Sequence, residues 1–144
     1  MTTQNRKFLD YVPYGILIIT AINLLYHKFS SQVVFQPQHI IGLVLLPIPG
    51  FFFRFRHKLG VLTLGLLILI GVFGGISYNP AITTVTVSKT IGEDSSIPFL
   101  FFQPIFLLWL TIHIVLSGRY YIGVLSKRYW DNIKSDEPIR LGDD

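Results

Sequence analysis

LGVLTLGLLILIGVFGGIS, residues 59–77, is a run of nineteen residues without a charge and with a dozen strongly apolar side chains. Those side chains together favour insertion into hydrocarbon, and a helix over the run approaches the ~30 Å that a spanning segment must cover. The run therefore reads as a transmembrane helix, and the rest of the chain is read outward from it.

Three further apolar segments have the same character. The first covers about 10–28 and contains VPYGILIITAINLLY, with Pro13 tolerated in its first turn and Lys28 at its far end. The second covers about 38–55. It contains Pro47, Pro49 and Gly50, and because a proline removes a backbone donor and clashes with the preceding turn, it is expected to kink or break near Pro47. A full crossing and a re-entrant half-helix both remain open for it. The fourth covers about 98–119, with Ser95 or Ser96 near its start, Pro98 and Pro104 in its opening turns, and Arg119, Tyr120 and Tyr121 at its far boundary. The two tyrosines fit an aromatic belt at the headgroups.

The expected fold is an all-α membrane protein: four transmembrane helices in two antiparallel hairpins occupying residues 1–125, followed by a polar tail over 126–144. Composition agrees, because 51% of the chain is hydrophobic and only 14% charged, against about 25% charged in soluble domains. The same figures exclude a disordered chain. With no cysteine, disulfides, thiolate metal sites and a cysteine nucleophile are impossible.

The net charge of +4 is explained by topology rather than by nucleic acid, which is not an expected partner. With four spans, Arg6, Lys7, Arg54, Arg56, Lys58, Arg119, Lys127, Arg128, Lys134 and Arg140 fall on one side, and only Lys28 and Lys89 on the other. Basic residues beside spans are retained in the cytoplasm. Both termini are therefore expected there, with the chain in the plasma membrane, or the inner membrane of a Gram-negative cell.

The outer loop, 78–97, alternates in its middle. Thr84, Thr86 and Ser88 face one way and Val85, Val87 and Lys89 the other, so a short β segment is expected, with Val33 to Phe35 as the available pairing partner. An exposed strand could recruit a protein by edge addition, and these six residues are the candidate partner-binding element. The alternative is a lid packed on the helix ends.

Polar groups inside spans are costly and mark function by default. The candidates are His113, Asn23, Thr20 and Thr111, with Asp10 at a boundary where pairing with Arg6, Lys7 or the 54–58 loop would anchor it. Six residues separate His113 from Arg119, which buries the imidazole about 9 Å inside the boundary. There it could relay protons, or bond a neighbouring helix through Thr20, Asn23 or a carbonyl freed at Pro47. His27 and His39 share the outer side, but two histidines make a weak metal signal. No metal or cofactor is expected. Gly71 and Gly75 form a GxxxG pair suited to helix packing, within the bundle or against a second chain.

The chain has no HExxH, no GxSxG and no paired intramembrane carboxylates. The leading expectation is a non-enzymatic interaction protein, either an accessory subunit or a protector that sequesters a membrane protein. Its partners would be the bilayer and a membrane protein or a second copy. The alternative is a small transporter or channel component built on the Pro47 to Gly50 break and His113. A membrane enzyme with an unrecognised motif is the third reading.

Overall fold

The fold is taken from a computed structural model, which describes residues 7–30, 34–80, 85–90, 96–122 and 124. The tail over 126–144, Arg6, Val33, Thr84 and Ser95 lie outside the described residues. The chain is mostly helical. Helix α1 is Val12–Phe29, preceded by a turn of helix at 7–9; α2 is Pro37–Leu45; α3 is Pro47–Phe55; α4 is His57–Val72; and α5 is Pro104–Ser117, closed by a 3-10 turn over Gly118–Tyr120. Strands β1 (Val85–Thr90) and β2 (Ser96–Phe102) lie between α4 and α5.

Helices α2 and α3 make one rod. Leu46, between them, keeps right-handed helical torsions, and its N–H still donates to Gly42 O at 2.9 Å. Pro47 and Pro49 each lack the N–H a helix would use, so the ladder loses bonds while the axis runs on. Tyr14 of α1 donates its hydroxyl to Leu46 O at 3.2 Å, a tie across to the first helix at the break. It lies against Gly50, where any Cβ would strike the Tyr14 hydroxyl.

The four rods alternate in direction, because the start of α1, the α3–α4 turn at Arg56 and the end of α5 meet at one end of the bundle. The start of α2, the end of α4 and the start of α5 meet at the other. Helix α4 is the central element, packed between α3 and α5, with ten of its sixteen residues buried. Gly60 lets it lie against Phe53 of α3, and Gly71 lets it take the Phe106 ring of α5. Leu17, Phe53, Val61, Leu64, Ile68, Phe106 and Trp109 belong to the core around it.

Two rods, Lys7–Phe29 and Pro37–Phe55, are long and apolar enough by length and composition to cross a membrane; His57–Val72 and Pro104–Tyr120 are shorter apolar helices. The outward faces are apolar too. Ile19 and Ile22 of α1, Val44 of α2, Phe51 and Phe55 of α3, Leu66 of α4 and Val115 of α5 are all exposed.

The structure corrects two boundaries. The segment expected as a span over 59–77 is helical only to Val72. Gly74 then takes φ of 77°, Gly74 N–H donates to Gly71 O and Gly75 N–H to Ile70 O, each at 3.0 Å. This crossed pair of bonds is a Schellman cap, which the Gly74-Gly75 dipeptide permits because the turn needs a left-handed residue. The helix of the fourth span, expected over 98–119, begins only at Pro104, with Gln103 at the N-cap position, while Ser96 lies on a strand.

Residues 98–102 belong instead to β2, which pairs antiparallel with β1 from Val85↔Phe102 to Thr90↔Ser96. The expected short β segment is present, but its partner is β2 and not the 33–35 segment. The register slips between Val87 and Ser88, which pair with Leu100 and Pro98. That leaves Phe99 as an extra residue, and an irregularity beside a proline is where a ladder tolerates a missing N–H. An apolar run such as SIPFLFF cannot be assigned to helix or strand by hydropathy alone. Phe and Ile favour β pairing once a partner strand lies close by.

Candidate functional site

The dominant polar feature is built on Asp10, the one carboxylate among the described residues. It has no exposed surface. Its Oδ1 accepts from Ser117 Oγ at 2.8 Å, and its Oδ2 accepts from His57 Nε2 at 3.0 Å and from Arg119 Nη2 at 2.7 Å. An ionised carboxylate only accepts, so the His57 proton facing it sits on Nε2.

Local sequence explains the convergence. Arg56 is extended, φ −147° and ψ 104°, and this turn sets His57 as the first residue of α4. Ser117 ends α5, and the 3-10 turn tightens the chain there, bringing Arg119 round to the same carboxylate. Asp10 is held in the turn before α1, where Asp10 N–H donates to Lys7 O at 3.3 Å and Tyr11 N–H to Phe8 O at 3.1 Å. Three helix ends are thus tied by one side chain.

Aromatic rings wall the clamp off. Tyr11 lies 4.7 Å from Phe53 and edge-on to His57 at 5.3 Å, while His57 and Tyr120 are 5.6 Å apart. Tyr120, expected in an aromatic belt, is 1% exposed, with the Arg119 guanidinium 4.9 Å above its ring. Its place is in the bundle end because the 3-10 turn directs it inward.

Carboxylate, imidazole and hydroxyl are the groups of a nucleophilic triad, but the order differs. In a triad the imidazole stands between hydroxyl and carboxylate and takes the hydroxyl proton. Here Asp10 stands in the middle and Ser117 donates to it. This arrangement orients and neutralises charge; it does not activate the serine.

His113 is fully buried, and its Nε2 lies 2.7 Å from the Tyr121 hydroxyl, which donates to Val61 O at 3.2 Å. Because the phenol has one proton and gives it to Val61, the imidazole proton is on Nε2 and Nδ1 is a bare acceptor. No described group bonds that Nδ1. Tyr121 is the partner in place of Thr20, Asn23 or a carbonyl at Pro47. Gly65 makes the contact possible, since a Cβ there would strike the Tyr121 hydroxyl and come within 3.0 Å of His113 Nε2.

The other sequence candidates are dispersed. Thr20 bonds Ile16 O and Leu17 O of its own helix, at 3.0 and 2.9 Å, and Thr111 bonds Leu107 O at 2.9 Å. Asn23 faces outward. Gly71 lies under Phe106, while Gly75 is past the end of α4 in its cap, so the two do not share a helix face. Val85, Thr86, Val87, Ser88 and Lys89 lie on β1.

At the opposite end a second set of ties closes the bundle. His39 Nδ1 accepts from Gln36 N–H at 3.1 Å and its Nε2 donates to Asn79 O at 2.9 Å, so both ring nitrogens are engaged. Ser77 N–H donates to Gln38 O at 3.2 Å, and the buried Tyr78 hydroxyl donates to Gly42 O at 2.9 Å. Burial pushes the Tyr78 phenol well above the usual tyrosine range, which keeps it a donor. Gln103 completes the set, its backbone N–H on Val72 O at 2.8 Å and its side-chain amide on Ile76 O at 3.1 Å. Its N–H satisfies the Val72 carbonyl that the end of α4 leaves orphaned, and its amide satisfies the Ile76 carbonyl beyond the cap.

Sequence reasoning missed Gln103, Tyr78 and the convergence on Asp10. The signal for the last was present, because four spans place Asp10, His57, Ser117 and Arg119 at one depth. Among the described residues no group of three or more His, Cys, Asp or Glu could hold a metal. No protein-family model matches this sequence, and comparisons with curated proteins and with solved structures give no match either.

Proposed function

We propose that the chain is a four-span integral membrane protein of the plasma membrane, with the Asp10 end in the cytoplasm, that acts by binding a membrane partner. The observation that carries this reading is the anchored hairpin β1–β2. Its last residue, Phe102, leads directly into Gln103, whose two bonds to the end of α4 fix the base of the hairpin on the bundle. Among the described residues no third strand pairs with either β1 or β2, so backbone donors and acceptors along both edges are available for strand addition.

The membrane reading is supported by apolar side chains that face outward on every rod while Asp10, His57, His113 and His39 turn inward and pair. Helices α4 and α5, about 24 and 21 Å long by residue count, are short for a ~30 Å core. The polar ties at either end then sit at the margins of the hydrocarbon, and the bilayer thins locally around them.

The test is site-specific photocrosslinking. A photoreactive residue at Ser88 gives a discrete adduct with one membrane protein, and Val87→Pro, which removes a strand donor, abolishes it. Crosslinking only to lipid, together with solute flux in liposomes that Pro47→Ala abolishes, overturns the interaction reading. Flux of that kind would establish the second reading, a transporter or channel component, which is favoured by the bare His113 Nδ1.

A further inference from the structure

The end that carries the Asp10 clamp also carries a cleft the clamp does not use. It is a shallow, open depression of about 440 Å³, lined by Tyr11, Gly50, Phe53 and Arg54. Phe53 is buried with its ring tilted against Tyr11, Gly50 contributes no side chain, and Arg54 is exposed. Arg54 forms no ion pair among the described residues, where the salt bridges both belong to Asp10. Arg54 is the one charged residue of that lining, so the ligand it suits is an anion.

The next face of α3 decides which anion. Phe51 and Phe55, one turn apart with ring centroids at 4.6 Å, are exposed on α3, where Phe55 follows Arg54 in the chain. A soluble anion would leave that strip unused, whereas an amphiphile covers it. We propose that the cleft holds the phosphodiester headgroup of an anionic glycerophospholipid, with the Arg54 guanidinium on the phosphate and an acyl chain along Phe51 and Phe55. A guanidinium offers two parallel donors to two phosphate oxygens, which gives Arg54 an advantage over lysine. The inference rests on the membrane-spanning reading above.

The test uses the full chain purified in detergent and offered phosphatidylglycerol or phosphatidylcholine in mixed micelles, with retained lipid measured by native mass spectrometry. Phosphatidylglycerol is retained in preference. Arg54→Gln lowers that preference about fivefold, the weight of one basic residue at an anionic surface; Arg54→Lys restores part of it, and Arg56→Gln leaves it in place. Inorganic phosphate does not compete. Arg54 is exposed, so its variants fold, which Trp109 fluorescence verifies. Equal retention of the two lipids overturns the proposal, as does equal loss in Arg54→Gln and Arg56→Gln, which denotes a diffuse basic surface. Competition by inorganic phosphate overturns it in favour of a soluble anion. A preference that emerges only after Asp131, Asp136 and Glu137 are neutralised overturns it in favour of the chain's own acidic tail. Alkaline extraction of the same membranes separates the two readings. A chain that washes off refutes the spanning reading and this inference together, while one that stays but retains lipid independently of Arg54 refutes this inference alone.

Discussion

Asp10→Ala is the most informative single change, because one carboxylate ties three helix ends. The substitution leaves His57 N–H and Ser117 O–H without their acceptor and the Arg119 guanidinium without its counter-charge. An unsatisfied buried donor costs about 1–3 kcal/mol, and removing one partner of a buried ion pair about 3–5 kcal/mol. These costs overlap. Ser117 can rotate towards a carbonyl of its own helix, and Arg119, a quarter exposed, can turn partly to water. The net expectation is a loss of about 3–4 kcal/mol. Asp10→Asn preserves the volume and one acceptor oxygen but points an amide at donors, so about 2 kcal/mol is expected. Equilibrium unfolding in mixed micelles, followed through the buried Trp109 in a Trp130→Phe background, reads both. A double-mutant cycle with Arg119→Gln isolates the pair, with an expected coupling of at least about 1 kcal/mol. Loss of less than about 1 kcal/mol in Asp10→Ala, or additivity within about 0.3 kcal/mol in the cycle, would show that the clamp does not hold the bundle together.

Three further outcomes follow from the geometry. Gly65→Ala forces the Tyr121 hydroxyl and His113 apart and costs about 1–3 kcal/mol, whereas Gly15→Ala, with nothing within 4 Å of the new Cβ, is neutral or stabilises by up to about 1 kcal/mol; thermal melts in detergent compare them. Gln103→Ala leaves Ile76 O unpaired inside the bundle and lowers stability by about 1–3 kcal/mol, while Gln103→Glu, which places a charge on that carbonyl, lowers it more. The cysteine-free background makes topology directly measurable: an engineered cysteine at Ser88 is labelled by a membrane-impermeant reagent from outside and one at Arg56 only after permeabilisation, and the reverse pattern refutes the orientation.

The helical rods were legible because hydropathy is additive along the chain. Residues 10–28, 38–55, 59–77 and 98–119 stand out by composition alone, and each contains or overlaps one of the rods. The break at Pro47 was legible for the same reason, since proline acts on its own turn wherever the helix is placed. Less legible were ends set by contacts between distant segments. The carboxyl end of α4 depends on the Schellman cap at Gly74 and on Gln103, thirty-one residues past Val72. Residues 96–102 are a strand because β1 lies alongside, and their apolar character would have served a helix equally well.

The sequence alone determined that the chain has apolar helical rods and that thiol chemistry is absent. Each of these depends on residue type and local spacing. Only the tertiary structure decided what the polar minority does. Asp10, His57, Ser117 and Arg119 are separated by up to 109 positions, and their meeting depends on how three helices pack. A buried carboxylate must find donors somewhere, because an unpaired charge cannot be sustained away from water. Which donors it finds is fixed by the packing of α4 against α5, where Gly65 and Gly71 admit side chains from across the interface.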